Sequence, residues 1–127
     1  MEKIRVVLAD DLEDTRRNLK VMLSFSKDIE VIGEAKDGSE ALALVESLRP
    51  DVLILDISMP RMDGISVLKI ISKRFPGVRV VAISFQDDEE YEKALKKLGV
   101  SSYLVKPFTI SQLIDAVKVA FIGGRNS

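Results

Sequence analysis

Apolar, β-prone runs alternate with helical stripes from one end of this chain to the other, and that alternation leaves few folds open. Residues 4–9, 30–35, 52–55, 78–83 and 102–105 read as strands. Between and after them, apolar residues recur at the spacing of a buried helical face. The first stripe is Leu12, Arg16, Leu19, Met22 and Leu23, on a helix beginning near Asp11. Gly38 and Ser39 open the second, which carries Ala41, Leu44, Val45 and Leu48 and stops at Pro50. Asp63 and Gly64 start the third, through Ile65, Leu68, Ile70 and Ile71 to Phe75-Pro76-Gly77. The fourth spans about Asp87 to Leu98, with Tyr91, Ala94, Leu95 and Leu98 inward and Gly99 as its C-terminal cap. The last carries Leu113, Ile114, Val117, Ala120 and Phe121 and ends at Gly123-Gly124. Such alternation predicts a doubly wound α/β domain: a parallel five-stranded sheet with right-handed crossovers and helices on both faces. Val52-Leu53-Ile54-Leu55 is apolar on both faces and is expected at the centre.

Composition removes several classes of chemistry. A chain of 127 residues suits one domain with a sizeable core. The net charge of −1 offers no basic excess for nucleic acid and no cationic face for a membrane. No apolar run approaches a membrane span, and a strand pattern at the very start predicts no signal peptide. Cysteine is absent, so disulfides, thiolate zinc sites and thiol nucleophiles are excluded, which fits a cytoplasmic protein. Histidine is absent too, removing the commonest general base and metal ligand together. Chemistry here must run on oxygen ligands and lysine.

Those groups sit where strands should end. Asp10 and Asp11 follow the first strand, Asp56 the third, and Lys106 the fifth. The carboxyl ends of parallel strands share one edge, so these residues are expected to converge. Three acids gathered there would repel unless positive charge joins them. Lys106 supplies one charge, and a hard divalent cation such as Mg²⁺ supplies the rest. The balanced site can then accept an anion such as a phosphoryl group. Each residue alone has a plainer reading. Asp10-Asp11 could cap a helix, Asp56 and Asp63-Gly64 could make turns, Ser84 could be a loop residue, and Lys106 a surface lysine. Asp37-Gly38 is read as structural. Asp87-Asp88-Glu89-Glu90 reads as a favourable helix start, complemented by Lys93, Lys96 and Lys97. What favours a functional site is the conjunction of acids and lysine at the same strand ends.

With Met59-Pro60-Arg61-Met62-Asp63-Gly64 beyond Asp56, Ser84 after strand four, and Lys106-Pro107-Phe108 after strand five, the chain resembles the receiver domains of two-component response regulators over essentially its whole length. The resemblance implies the flavodoxin-like strand order 2-1-3-4-5, which a member of that family illustrates in general accounts of the fold. It implies a receiver domain over residues 1–122, with 123–127 a flexible tail or the start of a linker. It makes Asp56 the acceptor of a phosphoryl group from a histidine kinase or phosphotransfer protein. Asp11, Asp56 and the backbone carbonyl of Ser58 would hold Mg²⁺ (or Mn²⁺), and Asp10 would do so through water. Lys106 and Ser84 would contact phosphoryl oxygens. Ser84 and Tyr103 would form the switch, changing the surface of helix four, strand five and helix five toward an effector domain or a second copy. Pro107 is implied to follow a cis peptide, and Gly64 to serve a tight loop where a side chain does not fit. Ser58 and Gln86 occupy positions that tune phosphoryl lifetime. Phe85 departs from the small residue common after the Ser84 position, and its bulk narrows access to the site.

Three other functions compete. An aspartate-nucleophile phosphatase would carry a second Asp two residues after the nucleophile, where this chain has Ser58. A passive interaction module would keep only the shape, against the intact Asp10, Asp11, Asp56, Ser84 and Lys106. Nucleotide binding fails because Ala9-Asp10-Asp11-Leu12, with no glycine-rich loop, follows strand one. Direct nucleic-acid or membrane binding is not expected.

Overall fold

The computed structural model describes residues 2–58 and 63–125, the last two as backbone only. The strands are β1 (Ile4–Ala9), β2 (Ile29–Ala35), β3 (Val52–Asp56), β4 (Arg79–Ser84) and β5 (Val100–Val105). The helices are α1 (Glu13–Leu23), α2 (Gly38–Leu48), α3 (Gly64–Arg74), α4 (Glu89–Lys97) and α5 (Ile110–Arg125). The strands form one parallel sheet in the order β2-β1-β3-β4-β5. β3 lies at its centre with every residue buried, as its unbroken apolar run predicts.

Because side chains alternate across a strand, each face of the sheet collects its own core. Val7, Leu53, Leu55, Val80 and Ala82 pack under α2, α3 and α4 with Ala41, Val45, Leu68, Ile71 and Leu95. On the other face Val6, Leu8, Ile54, Val81 and Ile83 meet Leu19 and Leu23 of α1 and Leu113, Val117 and Ala120 of α5.

Local chemistry sets the element ends. Asp37, Asp63 and Asp88 cap α2, α3 and α4 by accepting from the amides of Glu40, Ser66 and Glu90. The α4 cap moves that helix's start past Asp87, so the acidic run divides between a cap and a first turn. At the far end of the sheet, the Arg5 guanidinium donates to the carbonyls of Leu48 and Arg49, satisfying the C-terminus of α2. Arg49 there adopts φ 46°, and Pro50 prevents continuation.

Two stripe positions differ from expectation. Leu12 is 61% exposed and lies at the N-cap of α1, before the buried face begins. Ala94 is exposed on α4, whose buried residue is Leu95. α5 continues through Gly123 to Arg125, beyond the expected stop at Gly123-Gly124. No described helix is long and apolar enough to cross a membrane.

Candidate functional site

Sheet register brings the site together. Ala9 pairs with Leu55, Asp56 with Ile83, and Ser84 with Val105. The residues at the next step, Asp10 and Lys106, therefore arrive on either side of Asp56 and Ser84. Backbone bonds carry this order past the strand ends: Asp10 N–H donates to Ala35 at 3.0 Å, Ile57 to Ile83 at 2.9 Å and Lys106 to Ser84 at 2.8 Å.

Asp10, Asp56 and Ser84 are each only 2% exposed. Buried carboxyls require partners, and both oxygens of Asp56 have one. The Ser58 amide donates to Oδ1 at 2.8 Å, and Lys106 Nζ donates to Oδ2 at 2.5 Å. Asp10 Oδ1 accepts from the Leu12 amide at 3.0 Å, while Arg16 binds the Asp10 carbonyl oxygen at 2.6 Å. The Asp56 carboxyl is close enough to Asp10 to raise its proton affinity. Burial, reinforced by that neighbour, pushes Asp10 up to about 6, against the opposing pull of the Leu12 amide and Lys106.

Asp11 is half-buried immediately after Asp10. Among the described residues, no three Asp, Glu, His or Cys side chains gather tightly enough to hold a metal ion. Asp10 and Asp56 are the two buried acids of this edge, with the Lys106 ammonium on Asp56. The donor set still fits a hard dication. Two neighbouring buried carboxyls offer the oxygen donors that such a cation takes.

Ser84 ends β4, and its Oγ accepts from the Gln86 amide at 3.0 Å. Tyr103 on β5 is half-buried, with its ring edge-on to Tyr91 at 6.3 Å between centroids. Its hydroxyl donates to the Gln86 carbonyl and also contacts Ser84, joining the two expected switch residues through one loop. Burial raises the Tyr103 pKa, so it remains a donor. Gln86 joins this arrangement through its backbone while the residue itself is exposed.

The Lys106–Pro107 peptide is cis. Gly64 is buried at the start of α3, and a Cβ there would lie 2.4 Å from Ile57 Cγ2. Asp63 caps that helix, and the hydroxyl and amide of Ser66 hold its carboxyl below the usual range. Met59, Pro60, Arg61 and Met62 of the quoted motif lie outside the described residues.

Two contacts went unread in the sequence. Ser58 Oγ accepts from the Phe85 amide at 3.0 Å, and the Lys106 ammonium sits 4.7 Å from the centroid of the Phe85 ring. Only the size of Phe85 and its place beside Ser84 hinted at them.

Comparison with known proteins matches the family model "Response regulator receiver domain" over residues 6–118. The chain is 38% identical over 122 residues to the transcriptional regulatory protein DegU of Brevibacillus brevis, covering 96% of this chain and 52% of that protein. It is 42% identical over 107 residues to the protein-glutamate methylesterase/protein-glutamine glutaminase of Pyrococcus abyssi, covering 83% of this chain and 29% of the relative. The chain thus spans about half or less of these curated relatives. Among solved structures, the signal receiver domain of NarL from Mycobacterium tuberculosis superposes with a TM-score of 0.88 at 35% identity, covering 97% of this chain and 99% of that one.

Proposed function

The chain belongs to the response regulator receiver domain family, and on that premise we propose that Asp56 accepts a phosphoryl group from a histidine kinase or phosphotransfer protein in the cytoplasm. The observation that carries this reading is the arrangement at Asp56: a buried carboxylate with Lys106 at 2.5 Å and a second buried acid, Asp10, beside it. The family makes the chain a signalling switch. Its only chemistry on this reading is acceptance and loss of its own phosphoryl group.

In the transfer, an Asp56 carboxylate oxygen forms a bond to phosphorus. The P–N bond of the donor phosphohistidine breaks, and the imidazole leaves with the electron pair. Lys106 moves from Asp56 Oδ2 to a phosphoryl oxygen and offsets its charge. Ser84 turns its hydroxyl from the Gln86 amide to donate to another. Asp11, Asp56 and the Ser58 carbonyl are the residues that would hold Mg²⁺ (or Mn²⁺), with Asp10 acting through water. A dication held there would offset the negative charge that gathers as the phosphoryl group approaches.

The bond from Tyr103 to the Gln86 carbonyl links this chemistry to the surface. A Ser84 hydroxyl recruited by phosphate loosens or resets the same loop that Tyr103 holds. The α4–β5–α5 face then shifts between two packings and favours an effector domain or a second copy in one of them. Ser58 and Gln86 would set the lifetime of the acyl phosphate. The aspartate-phosphatase alternative lacks its second acid, because Ser58 occupies that position.

Intact-mass measurement tests the assignment. Incubation with a phosphoryl donor and Mg²⁺ is expected to add one phosphoryl mass to the wild type and none to Asp56→Asn. An unchanged wild type with several competent donors would leave a passive interaction module as the better reading.

A further inference from the structure

Phe85 is a large apolar side chain left 67% exposed beside the buried acids. Two contacts define its place. Its amide donates to Ser58 Oγ at 3.0 Å, and its ring lies over Lys106 Nζ at 4.7 Å. Ser58 in turn donates its amide to Asp56 Oδ1 at 2.8 Å, and Lys106 donates to Asp56 Oδ2 at 2.5 Å. The four residues close a circuit: Asp56 to Ser58, Ser58 to Phe85, Phe85 to Lys106, and Lys106 back to Asp56. The Lys106 side chain is 20% exposed, held between a carboxylate and an aromatic face.

We propose that Phe85 is a positioning residue that biases the site against small phosphoryl donors by holding the Lys106 ammonium against Asp56. The proposal rests on the reading of Asp56 as phosphoryl acceptor. Transfer requires Lys106 to leave Asp56 Oδ2 for an incoming phosphoryl oxygen. The ring quadrupole attracts the ammonium and opposes that move. A small donor has only its own charge with which to draw the lysine away. A protein donor can also cover the exposed ring with apolar surface, which offsets the lost contact. The aromatic face, not the bulk of residue 85, is therefore what slows small donors. In the reaction read out below, an Asp56 oxygen bonds to phosphorus while the P–O bond of acetyl phosphate breaks. Acetate leaves with the electron pair.

The test compares wild type, Phe85→Leu and Phe85→Tyr, exposed substitutions that leave both cores untouched. Phosphorylation by acetyl phosphate with Mg²⁺ is followed by intact mass, and the Lys106 ε-methylene signals are recorded by NMR in metal-free protein. Leucine keeps bulk but has no ring face; tyrosine keeps the face. Phe85→Leu is expected to be phosphorylated about two- to fivefold faster, the rate equivalent of an exposed cation–π contact. Its Lys106 signals should move downfield as ring shielding is lost, while Phe85→Tyr matches the wild type in both respects. Equal rates in the leucine variant and the wild type would overturn the proposal. So would a tyrosine variant as fast as leucine, or Lys106 signals that ignore the leucine change. If none of the three proteins gains phosphoryl mass from acetyl phosphate or from a phosphohistidine-bearing protein donor, the Asp56 reading falls and donor selection with it. The Lys106 signals would still show whether the ring contact exists.

Discussion

Asp10 is the group whose environment should be most visible in solution. Its carboxyl is buried beside Asp56, which raises its pKa from 3.8 to about 6. Between those values the folded protein binds more protons at this group than the unfolded chain does. Stability of the metal-free protein must then fall as pH rises through that window and level off above it. The full difference corresponds to about 3 kcal/mol, and water at the rim of the site lowers the measurable part to about 2 kcal/mol. Asp10→Asn removes the titration while keeping an Oδ1 to accept from the Leu12 amide. Urea unfolding in EDTA between pH 3.5 and 7.5 provides the assay. The variant should match the wild type near the acid end and exceed it by about 2 kcal/mol at pH 7. Added Mg²⁺ should restore the wild type and benefit the variant less. A stability difference that stays flat across the window would refute the argument, because Asp10 would then titrate alike in both states.

Two further outcomes follow from contacts at the same edge. Gly64→Ala should destabilise the domain by about 1–3 kcal/mol, because the new Cβ meets Ile57 Cγ2 at 2.4 Å. An unchanged urea midpoint would mean that Ile57 yields freely. Tyr103→Phe removes the donor to the Gln86 carbonyl and should lose about 1 kcal/mol. Faster amide exchange at residues 85–88 is expected with it. Unaltered exchange there would show that Tyr103 does not hold the loop.

The fold was legible because its strongest signals agree. The apolar run of β3 predicts a central strand, and the periodic stripes predict helices with one buried face. Leu12 misleads because a helix begins after its cap, so the first apolar residue in a periodic series need not belong to the buried face. Ala94 misleads because alanine is small enough to sit on either side of a helix. Residues at the site were legible from their positions at strand ends, which a parallel sheet necessarily aligns. Their pairings were not. Whether Asp10 faces Asp56 or joins Asp11 depends on how the chain leaves β1, and strand periodicity does not encode that turn. The hold of Phe85 on Lys106 depends equally on two loops meeting, 21 positions apart in the chain.

The Asp56–Lys106 bond joins residues 50 positions apart, and its lysine follows the last strand to be made, at the sheet's outer margin. Without β5 beside β4, the buried acids at the ends of β1 and β3 would lack the ammonium that answers their charge. Pairing of β5 with β4 is therefore what brings the ammonium to the buried carboxylate, and the charge balance of the cleft depends on the sheet's outermost strand.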